Sequence, residues 1–320
     1  MSHKDKVNLI KTIVFFSLVV VFSGIAFDLN NSKKLINPEM DTYEVSTNKD
    51  NGTISITTID SKDKEHKNKS NNTNKTQNNV VNRNNQNKIN NKAAENNNIR
   101  NGIQNKYDIT VKYGAETNGY KVANMTTIAL TNENEINNYL NILNRNLSYY
   151  PNSFFKEIKN SGFNASIYLI KKYSTDNVTG ITNSIDKKII ISIATDYQYK
   201  ESIHHELYHY IEKFMYSKGV KYPTWDSLNP ARFKYGNPNS TLSYSYTASD
   251  NAPFVNNYAQ VSAEEDRAST FEYMTADNKS GCLNNGTTIW LKAKYMCEQI
   301  DTVFSSVTPT KTEYWERFVY

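Results

Sequence analysis

His204-His205-Glu206-Leu207-Tyr208-His209 is the stretch from which the rest of this chain is read. It holds the pattern His-Glu-x-x-His at positions 205, 206 and 209. On a helix, residues four apart lie one above the other on the same face. His205 and His209 can therefore grip one ion between their rings, with Glu206 beside it. Two neutral imidazoles suit zinc, and a neighbouring carboxylate can take a proton from zinc-activated water. Ile203, Leu207, Tyr210, Ile211 and Phe214 supply an apolar stripe at helical spacing, and Lys218-Gly219 a stop signal. His204 is rotated by about 100° from His205 and reads as a structural or supporting residue. The bland competitor is a helix whose histidines only satisfy their neighbours.

Composition places this stretch in the folded part of the chain. Of 23 Tyr, only Tyr43 precedes residue 106, and Trp225, Trp290 and Trp315 all follow it. A packed core needs such side chains, so residues 106–320 are expected to form one domain of ordinary size. The remaining histidines, His3 and His66, lie before it. Residues 106–320 carry 22 of the 37 Lys+Arg and 22 of the 32 Asp+Glu, so the net charge of +5 belongs to the N-terminal part. A domain with no basic excess argues against nucleic acid as its partner.

Residues 1–27 read as a signal peptide or an N-terminal membrane anchor. Lys4, Lys6 and Lys11 precede an apolar run from Thr12 to Phe22, and Gly24 and Ala26 suit cleavage after Ala26. As an anchor, residues 8–27 would tether the chain, although Ile13 to Phe27 is short for a span. No cysteine follows the run, so no lipoprotein anchor is expected. Either way the domain is expected to be secreted or extracellular, and to meet a membrane only through this segment. Residues 28–105, rich in Asn, Lys, Ser and Thr and poor in aromatics, read as a disordered spacer.

Within 106–320 the pattern predicts an alternating stretch near Tyr107–Tyr113. A helix opens at Thr131-Asn132-Glu133, runs through Ile136, Leu140, Leu143 and Leu147, and stops before Pro151. A short helix follows over Phe154–Ile158. Strands are predicted at Ala165–Ile170 and Lys188–Ala194. Residues 220–256, punctuated by five Pro and Gly, read as a long irregular loop crossing near a cleft or packing as a surface excursion.

A catalytic zinc site takes three protein ligands and one open position. No histidine follows His209, and Glu212 and Met215 stand where the extended His-Glu-x-x-His-x-x-Gly-x-x-His pattern needs Gly and His. The third ligand must be a carboxylate. A helix over Ser262–Thr275 offers Glu264, Glu265, Asp266 and Glu272. Ser262 with Glu265 also reads as a capping box.

The run Tyr258-Ala259-Gln260-Val261-Ser262-Ala263-Glu264-Glu265-Asp266-Arg267-Ala268-Ser269-Thr270-Phe271 resembles the second motif of glutamate-type zinc peptidases (gluzincins) of the anthrax-lethal-factor and Pro-Pro-endopeptidase kind. There the zinc glutamate opens a Glu-x-x-Ala-(Glu)-x-Phe helix, with a tyrosine seven residues before it. Glu265 and Tyr258 match that register; Ser269 departs from it, standing where a second acid is usual. The resemblance, loose outside the two motifs, covers roughly residues 150–310. It implies a two-lobed, zincin-like α+β domain with a mixed sheet, an active-site helix and a mostly helical C-terminal lobe.

The ligand set implied is His205, His209 and Glu265 on Zn2+. Glu206 would be the general base and Tyr258 a donor to the developing oxyanion, or else a core aromatic. The expected activity is hydrolysis of a protein or peptide substrate by an exported endopeptidase acting as a monomer. The alternatives are a zinc amidase of cell-wall peptide and a non-catalytic surface binding module. In an exported chain the 2 Cys, Cys282 and Cys297, read as a disulfide.

Overall fold

The computed structural model describes residues 43–47, 54–58, 74–175, 178–185, 187–195, 199–236, 252–276, 283–308 and 311–320. The expected leader or anchor, residues 1–27, lies outside the described residues. The chain divides into a small unit, residues 25–85, and a large one that includes residues 86–320. The small unit contains an antiparallel pair, β1 (Tyr43–Thr47) and β2 (Ile54–Thr58). Both strands are rich in β-branched residues, which suit a pleated surface.

Helix α1 (Asn74–Tyr107) runs into the large unit. Ile103 and Tyr107 are buried in the main core and Ile99 packs against it. These three residues recur every four positions, so a sparse apolar stripe is enough to dock an otherwise polar helix. The buried Asn96 donates to the Glu133 carbonyl (2.9 Å) and to its carboxylate (2.7 Å). The folded part therefore begins before residue 106, the boundary expected from aromatic content, and the end of the expected spacer is helix rather than disordered chain.

The large unit continues with β3 (Thr110–Lys112), β4 (Lys121–Val122), β5 (Met125–Ala129), α2 (Glu133–Leu147) and α3 (Phe154–Asn160). Then come β6 (Asn164–Tyr173), β7 (Gly180–Ile185), β8 (Lys188–Ala194) and α4 (Tyr199–Ser217). The sheet order is β4-β5-β6-β8-β7, with β3 also paired to β6. β6 runs parallel to β8 and antiparallel to β5, and β7 is an antiparallel edge strand on β8. The fold is thus α+β with a mixed sheet.

Alternation along the strands makes two cores. Ala165, Ile167 and Leu169 of β6 and Ile189, Ile191 and Ile193 of β8 face the helices. Tyr168, Ile170, Tyr173 and Ala194 face a smaller cluster with Val122 and Met125. Asn132 caps α2, its side chain accepting from the Asn134 and Glu135 amides. α4 ends where the sequence places its stop: Gly219, at φ 94°, takes the left-handed conformation, and the Val220 amide returns to the Met215 carbonyl.

The C-terminal part is mostly helical, with α5 (Ala263–Thr275) and α6 (Thr288–Asp301). Cys297 in α6 is a buried free thiol, and burial pushes its pKa well up. Cys282 lies outside the described residues, and no disulfide is present among the described ones. The expected Cys282–Cys297 bridge therefore falls outside the described residues.

Candidate metal centre

α4 is covered on three sides. It packs along β7 and β8, against α2, and against α5. Its fourth-neighbour rule brings the His205 and His209 rings to 5.0 Å between centroids, on the side facing α5. From α5, Glu265 reaches across to both. Its Oε2 lies 2.9 Å from His205 Nε2 and 3.5 Å from His209 Nε2. One ligand atom from each of the three residues falls within a 4.8 Å cluster.

The cap of α5 explains the register. Ser262 Oγ accepts from the Glu265 amide at 3.2 Å. That is half of a capping box; the Glu265 carboxylate goes to the histidines instead of closing it. Ala268 and Phe271, three and six positions on, are fully buried and mark the same inward face. Glu264 is rotated outward, its side chain 56% exposed. Asp266 turns into the core, where its Oδ2 accepts from Lys292 (2.7 Å), Trp225 (3.0 Å) and Tyr235 (2.6 Å).

The donor set, two imidazoles and one carboxylate, matches the three-ligand zinc pattern, and its surroundings fit as well. His205 Nδ1 lies 3.1 Å from Glu272 Oε2. A carboxylate on the far nitrogen of a ligating histidine fixes its tautomer and raises its basicity. Glu272, seven residues after Glu265, occupies the same face two turns further along α5. Burial pulls the His205 pKa down, but the bonds to Glu265 and Glu272 and their charges outweigh it, and the net value is well above the ordinary one. His209 is raised in the same way, burial being overcome mainly by the Glu265 charge. Burial opposes ionisation of Glu265, yet the two histidines hold its carboxyl far below the usual range.

Glu206 points toward the sheet edge. The Thr182 hydroxyl lies 2.6 Å from its Oε2 and 2.9 Å from its main-chain oxygen. Burial pushes the Glu206 pKa up, against the lowering effect of His205, His209 and the Thr182 bond. The Tyr258 ring lies 6.0 Å from that of His205, on a short 3-10 turn, Tyr258–Gln260. His204 faces the other way: Tyr150 Oη lies 3.0 Å from its Nδ1 and Asn146 Oδ1 2.7 Å from its Nε2, while Tyr149 stacks on its ring. It ties α4 to α2.

The edge strand beside α4 is β7. β8 lies between β6 and β7. The β7 sequence Gly-Ile-Thr-Asn-Ser-Ile has weak alternation, which hides it from a hydrophobic pattern. The described parts of the 220–256 loop pack on α5 and α6 through Trp225, Tyr235 and Phe254. Residues 237–251 lie outside the described residues.

No protein-family model matches the chain, and no curated protein matches it. Among solved structures it is similar to the crystal structure of "a putative zinc-binding metallo-peptidase" from Bacteroides caccae ATCC 43185. The TM-score is 0.48 and the identity 14%, over 71% of this chain and 91% of that one.

Proposed function

We propose that this chain is an exported zinc-dependent endopeptidase, with His205, His209 and Glu265 as the metal ligands. The observation that carries this reading is the convergence of those three donors beside a buried Glu206. When bound, zinc polarises a peptide carbonyl and lowers the pKa of water toward neutrality. Glu206 accepts the proton of the attacking water and returns it to the leaving amine. A carboxyl raised by burial suits both steps, because it holds a proton more readily than an exposed one. Tyr258 donates to the carbonyl oxygen as negative charge develops there.

The substrate backbone lies along β7. The Ala194 amide donates to the Thr179 carbonyl at 2.9 Å, and the register pairs Gly180 with Ile193. Residues 179, 181, 183 and 185 thus spend their main-chain groups on β8. In an antiparallel ladder the intervening residues point theirs to the other side. Gly180, Thr182 and Ser184 therefore offer amides and carbonyls to an extended peptide. That favours a peptide bond within a chain as the target.

The test is hydrolysis of a peptide library by the zinc-loaded protein, with and without a chelator. Glu206→Gln should retain zinc and lose turnover by about 100- to 10,000-fold. A zinc-loaded Glu206→Gln protein with near wild-type turnover would refute the base assignment. Chelator-insensitive cleavage would refute the metal's role.

A further inference from the structure

The strand that borders the centre also touches the general base, and the contact has a specific form. Gly180, Thr182 and Ser184 share the face of β7 that lies on α4. Thr182 bonds to Glu206, and Ser184 bonds to Lys213 seven residues further along the same helix. A Cβ on Gly180 would stand 2.6 Å from Glu206 Cγ and 2.8 Å from its Oε1. The carboxylate of Glu206 therefore lies directly on the bare backbone of Gly180, with one oxygen taken by Thr182. His205, His209 and Glu265 also act on Glu206 through their charges.

We infer that Thr182, over the space left by Gly180, is the positioning residue that fixes the Glu206 carboxylate for proton transfer. The inference rests on the peptidase reading above and goes beyond it, to a residue outside the zinc motifs. A threonine hydroxyl has one proton and can also accept. It donates to Glu206 Oε2 while that group is a carboxylate. When Glu206 takes a proton on its other oxygen, Oε1, Oε2 becomes the carbonyl oxygen of the acid and still accepts from the Thr182 hydroxyl. The carboxyl thus keeps a partner of the right polarity before and after it takes the proton, with no movement of backbone. Main-chain groups of the same residue, Thr182, face the free edge along which the peptide is proposed to pair. Substrate alignment and base alignment then share one residue.

The experiment compares wild type, Thr182→Val, Thr182→Ser and Gly180→Ala. Valine keeps the shape of threonine and removes the hydroxyl; serine keeps the hydroxyl. Thr182→Val should lower kcat by about 10- to 100-fold, the usual cost of a misplaced catalytic group, with KM within about twofold of wild type. Gly180→Ala should do the same by displacing the carboxylate, and Thr182→Ser should restore most of the rate. Zinc content and melting temperature should match wild type throughout. A Thr182→Val protein with wild-type kcat overturns the inference, as does Thr182→Ser as impaired as Thr182→Val. Crystal structures provide an arm independent of turnover: the Glu206 carboxylate should rest on Thr182 in wild type and turn away in Thr182→Val. An unchanged carboxylate sinks the inference even if the protein proves not to be a peptidase. Absence of chelator-sensitive hydrolysis in wild type sinks the peptidase reading alone.

Discussion

At the scale of single residues, the centre is decided by which way adjacent carboxylates point. Glu264 and Glu265 are about 100° apart on α5, and only Glu265 meets the histidines. Glu265→Ala should lose zinc on dialysis, whereas Glu264→Ala should keep it and change stability by no more than about 0.5 kcal/mol. Elemental analysis of the two proteins decides this; loss of metal from Glu264→Ala would shift the register by one and remove Tyr258 from its role. His205, Glu206 and His209 are legible in the sequence because their relation is local, set by helical geometry alone. Glu265 needs the family resemblance, since four acids of α5 are open to the pattern. Glu272 carries a readable signal, being two turns beyond Glu265, but nothing in spacing separates a ligand from the residue that supports one. Thr182 and Gly180 leave no mark at all. Their contact with Glu206 exists only once a sheet edge is laid against a helix.

At the scale of elements, α1 departs most from expectation. Its sequence is dominated by Asn, a poor helix former, and it has few apolar residues, so neither propensity nor composition announces it. It is held by Ile99, Ile103 and Tyr107 on one side and by the buried Asn96 amide. A chain starting at residue 106 should therefore be less stable than one starting at residue 86. The loss of Ile103 from the core alone should cost about 2–5 kcal/mol. Urea unfolding of the two chains measures it, and coincident midpoints would show that α1 contributes nothing. By contrast α2, β6, β8, α4 and α5 are legible from the sequence. α2 and α4 combine a helical period with a boundary residue, Asn132 or Gly219, β6 and β8 are β-branched runs, and α5 is marked by its cap, Ser262. β7 is missed because a polar edge strand has no buried face to impose alternation.

At the scale of the whole molecule, the centre joins two helices from distant parts of the chain. His205 and Glu265 are 60 positions apart in sequence. α4 and α5 are already clamped by a buried pair between Arg267 and Glu212, with the Arg267 guanidinium also on Tyr216 Oη at 2.6 Å. A metal held by both helices adds a second tie of the same kind. Zinc at 100 times its Kd should stabilise the folded chain by about 2.7 kcal/mol. For a domain of this size that raises Tm by roughly 5–10 °C, and a chelator should reverse it. A melting temperature indifferent to zinc would show that no metal is held by the folded state. Fold class is legible from the sequence through its mixture of periods, while strand order is not, because β7 enters the sheet outside β8 after preceding it in the chain.

The two bonds that His205 makes to carboxylates have a further consequence for how the centre is filled. The two ring nitrogens of His205 face Glu265 and Glu272, so a proton on Nε2 and a metal ion would compete for the Glu265 carboxylate. Metal uptake would then exchange a proton for the ion. The imidazole pKa values lie above the ordinary one, so protons hold the ground more firmly as pH falls, and uptake of zinc becomes harder in acid and easier toward alkaline pH. Glu265, whose carboxyl is held low, stays ionised throughout that range and keeps drawing in whichever cation is present. An acidic medium would therefore favour the protonated histidines over metal-bound ones.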